Sequence, residues 1–152
     1  MGRHLAQFNW GVLRADWDSP VVADFVNNIA KVNAVAERSD GFIWRLGDDD
    51  MEAAQLDPEG PLGGNPRFAS TLSVWRDLVS LERFVWQSVH KIFYNRRAEW
   101  YAPGQGLRLV MWWVPEGTRP TITEAAERAE HLRQHGDSEH AFGWDYARRA
   151  AA

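Results

Sequence analysis

Residues 107–114 read LRLVMWWV, and this stretch decides how the chain must fold. Alternate residues of a strand point to opposite faces of its sheet. Leu107, Leu109, Met111 and Trp113 share one face, yet Val110, Trp112 and Val114 on the other are just as apolar. Such a strand needs cover on both sides. The segment from His4 to Leu13 repeats the demand, with His4, Ala6, Phe8, Trp10 and Val12 alternating with Leu5, Gln7, Asn9, Gly11 and Leu13. Two further strands fit the pattern. Phe42 to Leu46 sets Phe42, Trp44 and Leu46 against Ile43 and Arg45; Phe68 to Trp75 sets Phe68, Ser70, Leu72 and Val74 against Ala69, Thr71, Ser73 and Trp75.

Between the strands the spacing becomes helical. Ser19 is a helix N-cap and Pro20 suits the first helical position, where its missing N–H costs nothing. Val22, Phe25, Val26, Ile29, Val32 and Ala36 then form an apolar stripe that ends before Gly41. A second helix starts near Asp77 or Ser80 and runs to about Trp100, with Leu81, Val85, Ser88, Val89 and Ile92 as its stripe. Thr121 and Glu124 make a capping box for a third helix, up to Gly136. Residues 47–67, rich in Asp, Gly and Pro, read as a long loop.

The order is β-α-β-β-α-β with a helical extension, an α+β ferredoxin-like subunit. The chain of 152 residues reads as one domain, with a core over about 3–115 and a C-terminal helical extension over about 121–152. Helices cover one face of the sheet. The other would expose a large apolar patch, and the simplest remedy is a homodimer that packs sheet to sheet as a dimeric α/β barrel. The rival solution covers that face with the chain's own C-terminal helix and tail.

An apolar content of 45%, with 25% charged residues, describes a globular chain. With no cysteine, thiol catalysis, CxxC zinc sites and iron–sulfur clusters are excluded. A formal charge of −4, with basic residues scattered among acids, offers no footprint for nucleic acid. Neither a secretory leader nor a membrane span is visible, so a cytoplasmic location is expected. Nine tryptophans stand out. Trp10, Trp112 and Trp113 belong to the strands that need cover. Trp44, Trp75 and Trp86 are candidates for an aromatic ligand pocket, Trp100 ends the second helix, and Trp17 and Trp144 lie in connecting and tail segments.

Candidate chemistry centres on the second helix. His90 lies off the apolar stripe beside Trp86, Tyr94 and Arg97, and a histidine bordering a cleft can act as general base or ligand. Asn9 is polar among apolar neighbours on the first strand, where it could position a substrate oxygen or bridge backbone at a bulge. Arg45 beside Trp44 could clamp a carboxylate, stack on the indole or pair with a loop aspartate. Asp48, Asp49 and Asp50 lack calcium-loop spacing, and His131 and His135 lack a catalytic glutamate beside them. No metal site is expected.

The segments HLAQFN at 4–9, GFIWRL at 41–46, SVW at 73–75, FVWQSVH at 84–90, RRAEWY at 96–101 and WWVPEGTRPT at 112–121 resemble the family DUF3291. That family looks like a branch of the dimeric α/β-barrel superfamily, which includes antibiotic-biosynthesis monooxygenases and haem-degrading enzymes. The resemblance implies a small-molecule-binding barrel, acting without a cofactor as a monooxygenase or isomerase on an aromatic or polyketide-like substrate. His90 would be the base and Asn9 the oxygen-positioning group, with Trp44, Arg45, Trp75, Trp86, Tyr94 and Arg97 around the substrate. The haem-degrading branch implies an alternative: haem held with His90 as axial ligand, where Phe84 or Trp86 corresponds to that branch's site tryptophan. The same pocket in a non-enzymatic ligand-binding protein is the third reading. The partners expected are a second copy of the chain and a small aromatic ligand, with no nucleic acid and no membrane.

Overall fold

The computed structural model describes residues 2–105 and 108–151. Leu107, the expected start of the fourth strand, lies outside the described residues. The chain forms β1 (Arg3–Val12), α1 (Ala23–Arg38), β2 (Phe42–Arg45), α2 (Asp48–Leu56), β3 (Phe68–Trp75), α3 (Leu78–Gln87), α4 (Val89–Asn95), β4 (Arg108–Pro115), α5 (Ile122–His135) and α6 (Trp144–Ala151). The strands make one sheet in the order β2-β3-β1-β4, with every neighbouring pair antiparallel. This is the ferredoxin-like arrangement expected from the sequence. Among the described residues no helix is long and apolar enough to cross a membrane.

Both faces of the sheet are covered, and by one chain. On the first face Leu5, Trp75 and Met111 pack against Ala36 of α1, Leu78, Leu81, Phe84 and Val85 of α3, and Ala147 of α6. On the second, Ala6, Phe8, Leu72, Val74, Val110, Trp112 and Val114 meet Met51 of α2 and Ala125 of α5, with Ile122, Ala129 and Leu132 beside them. Trp112 and Val110 are fully buried there. Fully burying a Val- or Leu-sized side chain is worth about 1.5–3 kcal/mol, and α5 is held by buried Ala125 together with a fraction of that from each of the partly buried Ile122 and Leu132. The apolar second face therefore does not require a second copy, and the physical argument for sheet-to-sheet dimerisation gives way to the rival solution. The tail contributes too, because Phe142 exchanges two backbone hydrogen bonds with Met111 on the outer edge of β4.

Three local features depart from the sequence reading. Residues 48–56 of the expected loop are helical, and Asp48, Asp49 and Asp50 occupy the first turn of α2, where acidic side chains complement the exposed N–H groups and the helix dipole. The expected second helix is broken in two at Ser88. That residue adopts an extended backbone (φ −124°, ψ −173°); its hydroxyl donates to the Phe84 carbonyl and accepts from the His90 N–H. Ser88 thus closes α3 and caps α4 at once, and Ile92, placed on the buried stripe by a continuous helix, is 59% exposed. Finally, β2 carries an irregularity at Ile43: Phe42 pairs with Trp75 but Trp44 pairs with Val74. One extra residue reverses the alternation beyond it, so Phe42 faces the first side, beneath α1 and α3, and Trp44 packs in the opposite cluster.

Candidate functional site

A cavity of about 760 Å³ lies between the first face of the sheet and α1, α3 and α4, and extends around the short β2 to α2. Its floor is polar. Gln7 and Asn9 on β1 share one face with Thr71 and Ser73 on β3, the register setting Gln7 opposite Ser73 and Asn9 opposite Thr71. The Asn9 amide donates to Gln7 Oε1 (2.9 Å) and Thr71 Oγ1 (2.5 Å). Gln7 donates to Ser73 Oγ (2.7 Å) and Thr71 Oγ1 (3.3 Å), and the Trp75 indole donates to Ser73 Oγ (3.0 Å). Each hydroxyl thus accepts twice, which leaves its own proton free to donate, and Asn9 keeps Oδ1 as an acceptor. Such a ladder beneath an aromatic cavity offers one edge of a ligand both donors and acceptors.

The walls are aromatic. Trp17, Phe25, Trp100 and Tyr101 close one end, with Phe25 within 5.6–6.2 Å of the other three rings. Burial pushes the Tyr101 hydroxyl above its ordinary pKa. Along α3 and α4 stand Phe84, Trp86, His90, Phe93 and Tyr94, with Trp144 of α6 at 5.8 Å from Trp86. The indole N–H of Trp86 is buried with no partner among the described residues, a donor available to an occupant.

The break at Ser88 positions His90. It sets the residue in the first turn of a new helix, where Nδ1 reaches the Val85 carbonyl at 3.2 Å, one of the groups the end of α3 leaves unpaired. A bond to a carbonyl requires a proton on Nδ1, so neutral His90 keeps a bare lone pair on Nε2. Burial against Phe84, at 5.0 Å, lowers the imidazole pKa below its ordinary 6.5, and the Val85 carbonyl opposes this only in part. Tyr94 follows one turn on, stacked at 6.5 Å from His90, and the Arg97 guanidinium lies 3.9 Å from the Tyr94 ring centre.

Of the residues singled out in the sequence, His90, Asn9, Trp75, Trp86, Tyr94, Arg97 and Arg45 all line this cavity. Trp44 does not: the irregularity at Ile43 turns it to the second face beside Leu46 and Val74. Arg45 is engaged by Asp48 (2.9 Å) and Glu37 (3.7 Å), the ion-pair option. Asn9 bonds across the ladder to side chains, not to backbone at a bulge. Sequence reasoning missed Gln7, Thr71 and Ser73, although three polar residues on the parity of Leu5 and Trp75 were a readable signal. Trp17 gave none, since it reaches the cavity from a connecting segment without periodicity, and Trp144 enters from the start of α6, beyond the third helix.

The histidines of α5 lie elsewhere. His131 has His135 and His140 each at 4.6 Å, but His140 is held by Glu127 and Arg128, and among the described residues no group of three His, Asp or Glu is placed to hold a metal.

A ferredoxin-like sheet with its own covering helices and a large aromatic cavity over a polar floor defines the class of protein. The chain belongs to the family described as domain of unknown function DUF3291, whose model matches residues 4–152. Among solved structures, a protein of unknown function from Nitrosomonas europaea is similar at 11% identity over 78% of this chain and 96% of that one, with a TM-score of 0.50. SnoaB, a cofactor-independent oxygenase from Streptomyces nogalater, is similar at 15% identity over 80% and 98%, with a TM-score of 0.44. At 11% identity the first of these likenesses speaks for the course of the chain and not for its chemistry. No curated protein matches the chain in sequence.

Proposed function

We propose that the chain binds a planar small molecule in the cavity and acts on it by proton abstraction at His90, without a cofactor, as an isomerase or monooxygenase. The observation that carries this reading is the geometry of His90: a neutral imidazole, fixed through Nδ1 by Val85, with Nε2 bare in the wall of a cavity whose floor can hold an oxygen. Asn9 and Thr71 position a substrate carbonyl or hydroxyl, and Trp75, Trp86 and Tyr94 enclose the rings. Nε2 takes a proton from a carbon next to the carbonyl, leaving a delocalised anion. Return of that proton to another carbon is isomerisation; reaction of the anion with dioxygen converts CH2 to C=O and releases water. A positioned base contributes typically about 10²–10⁴ in rate.

Turnover of anthrone-like and phenolic substrates tests this. Activity should rise with pH to a plateau, with its inflection below 6.5, because the base works only when neutral. His90→Ala should lower kcat at least a hundredfold. A panel turned over equally by wild type and by the His90→Ala, Asn9→Ala double variant overturns the enzymatic reading.

Haem is the second occupant that a specific observation favours. A metal-ligating histidine usually donates its other ring N–H to a carbonyl or carboxylate, as His90 does to Val85. In that case His90 would supply Nε2 to the iron, Arg97 would face a propionate, and the group would bring its own redox chemistry. Haemin titration decides: a Soret shift lost in His90→Ala supports haem, and no shift at stoichiometric haemin removes it.

Homodimerisation is proposed on narrower ground than the sequence suggested. Trp10, Leu62 and Phe68 remain only partly covered along a groove of about 450 Å³ on the second face. Light scattering that gives the monomer mass at micromolar concentration overturns it.

A further inference from the structure

The cavity holds a positive charge that no carboxylate among the described residues answers. Arg97, two residues beyond the end of α4, is half-buried in the cavity wall. Its Nη1 donates to the Tyr94 carbonyl at 2.8 Å, and its guanidinium lies over the Tyr94 ring at 3.9 Å. These contacts fix the plane of the group but use only one of its five N–H bonds. Among the described residues no carboxylate lies within ion-pair distance of it. The contrast with Arg45, in the same cavity, is instructive: that guanidinium is compensated by Asp48 and Glu37.

A partly desolvated cation is costly without a counter-charge, and the unengaged Nε–Nη2 edge of a guanidinium is the edge that takes a carboxylate in two parallel hydrogen bonds. Tyr94 neighbours both the His90 ring, at 6.5 Å, and the guanidinium, at 3.9 Å, and so links this anion site to the proposed base.

Building on the proposed function, we infer that the cavity takes an anionic aromatic ligand, a carboxylate on a planar ring system, with the anion on Arg97 and a second oxygen on Asn9 and Thr71. The ring system occupies the space between, against Tyr94 and Trp86. A neutral molecule of the same shape leaves Arg97 unpaired and binds less well.

Calorimetric titration of the full chain with 2-naphthoate and with 2-naphthamide tests this, because the two share a shape and differ in charge. The expected result is binding of both, with naphthoate tighter by about tenfold or more at low salt, as a charge-assisted pair warrants. That preference should shrink as salt is raised. Arg97→Gln should abolish it while leaving naphthamide affinity within about twofold, and Arg97→Lys should restore part of it; a thermal melt confirms that each variant is folded. Equal affinities in the wild type, or a preference that survives Arg97→Gln, overturn the anion site and leave the cavity as a ligand site. Binding of neither probe at millimolar concentration, with the wild type folded, overturns the ligand reading of the cavity and this inference with it.

Discussion

The Nδ1 of His90 lies 3.2 Å from the Val85 carbonyl, so the last turn of α3 fixes the ring of a residue in the first turn of α4. The bond exists because the helix breaks between them. A continuous helix would pair the Val85 carbonyl with the N–H four residues on and carry His90 elsewhere.

Protonation of His90 should therefore cost stability. Burial lowers its folded pKa below 6.5, so as the pH falls from about 6.5 the unfolded chain takes up the proton first. Wherever the unfolded state binds more protons, stability rises with pH, so this contribution is intact above about 6.5 and is lost as the pH falls toward the folded value. Urea melts at pH 7 and pH 5.5 should show a drop that is smaller in His90→Gln. An NMR titration of the ring protons should place the His90 midpoint below 6.5; a midpoint at or above that value contradicts the burial argument.

Ser73 accepts from both Gln7 and the Trp75 indole in the buried part of the floor. Ser73→Ala removes the shared acceptor. The Trp75 N–H loses its partner, while the Gln7 amide nitrogen keeps only its longer bond to Thr71. A stranded buried donor costs about 1–3 kcal/mol, which should appear as a lower urea midpoint at unchanged slope. Thr71→Ala, at an exposed position of the same ladder, should cost about 1 kcal/mol or less while weakening ligand affinity more.

The sheet and its strand order were legible because the alternation in β1, β3 and β4 is nearly unbroken, and the capping signals at Ser19 and Thr121 both formed, with Ser19 accepting from Val21 N and Thr121 from Glu124 N. What escaped were events that act through a single residue. Ser88 sits inside an apolar, helix-compatible run, and its hydroxyl both competes for the Phe84 carbonyl and caps the His90 N–H where the helix ends. One residue at Ile43 inverts β2 and moves Trp44 to the other face. The cover of the second face was a question of tertiary packing. The stripe on α5 was visible, but whether it or a second chain would lie on Trp112 depended on the path of the connection through Pro115 and Gly117, which periodicity does not report.

The inversion at Ile43 separates two neighbours by function. Phe42 stacks edge-on with Trp75 at 5.4 Å and lines the cavity; Trp44 packs on the second face. Trp44→Ala should lower stability by about 2–3 kcal/mol, somewhat below a fully buried tryptophan, and leave ligand affinity within about twofold. Phe42→Ala should lower both, since it removes cavity wall as well as core. Matched urea melts and ligand titrations of the two variants check this, and loss of binding in Trp44→Ala alone would contradict the inverted register.

Tyr101 lies against Gly11 so closely that a Cβ on that glycine would stand 2.6 Å from the ring Cε1. The requirement at Gly11 is space and not backbone freedom, since its φ is not positive. Gly11→Ala must therefore displace the Tyr101 ring, which packs edge-on against Phe25 at 5.8 Å. Overpacking of this kind costs about 1–3 kcal/mol. Tyr101→Leu gives the new methyl room, so Gly11→Ala should cost less in that background than in the wild type. A double-mutant cycle by urea denaturation measures the coupling, and additive effects within about 0.5 kcal/mol would show that the ring is free to move away.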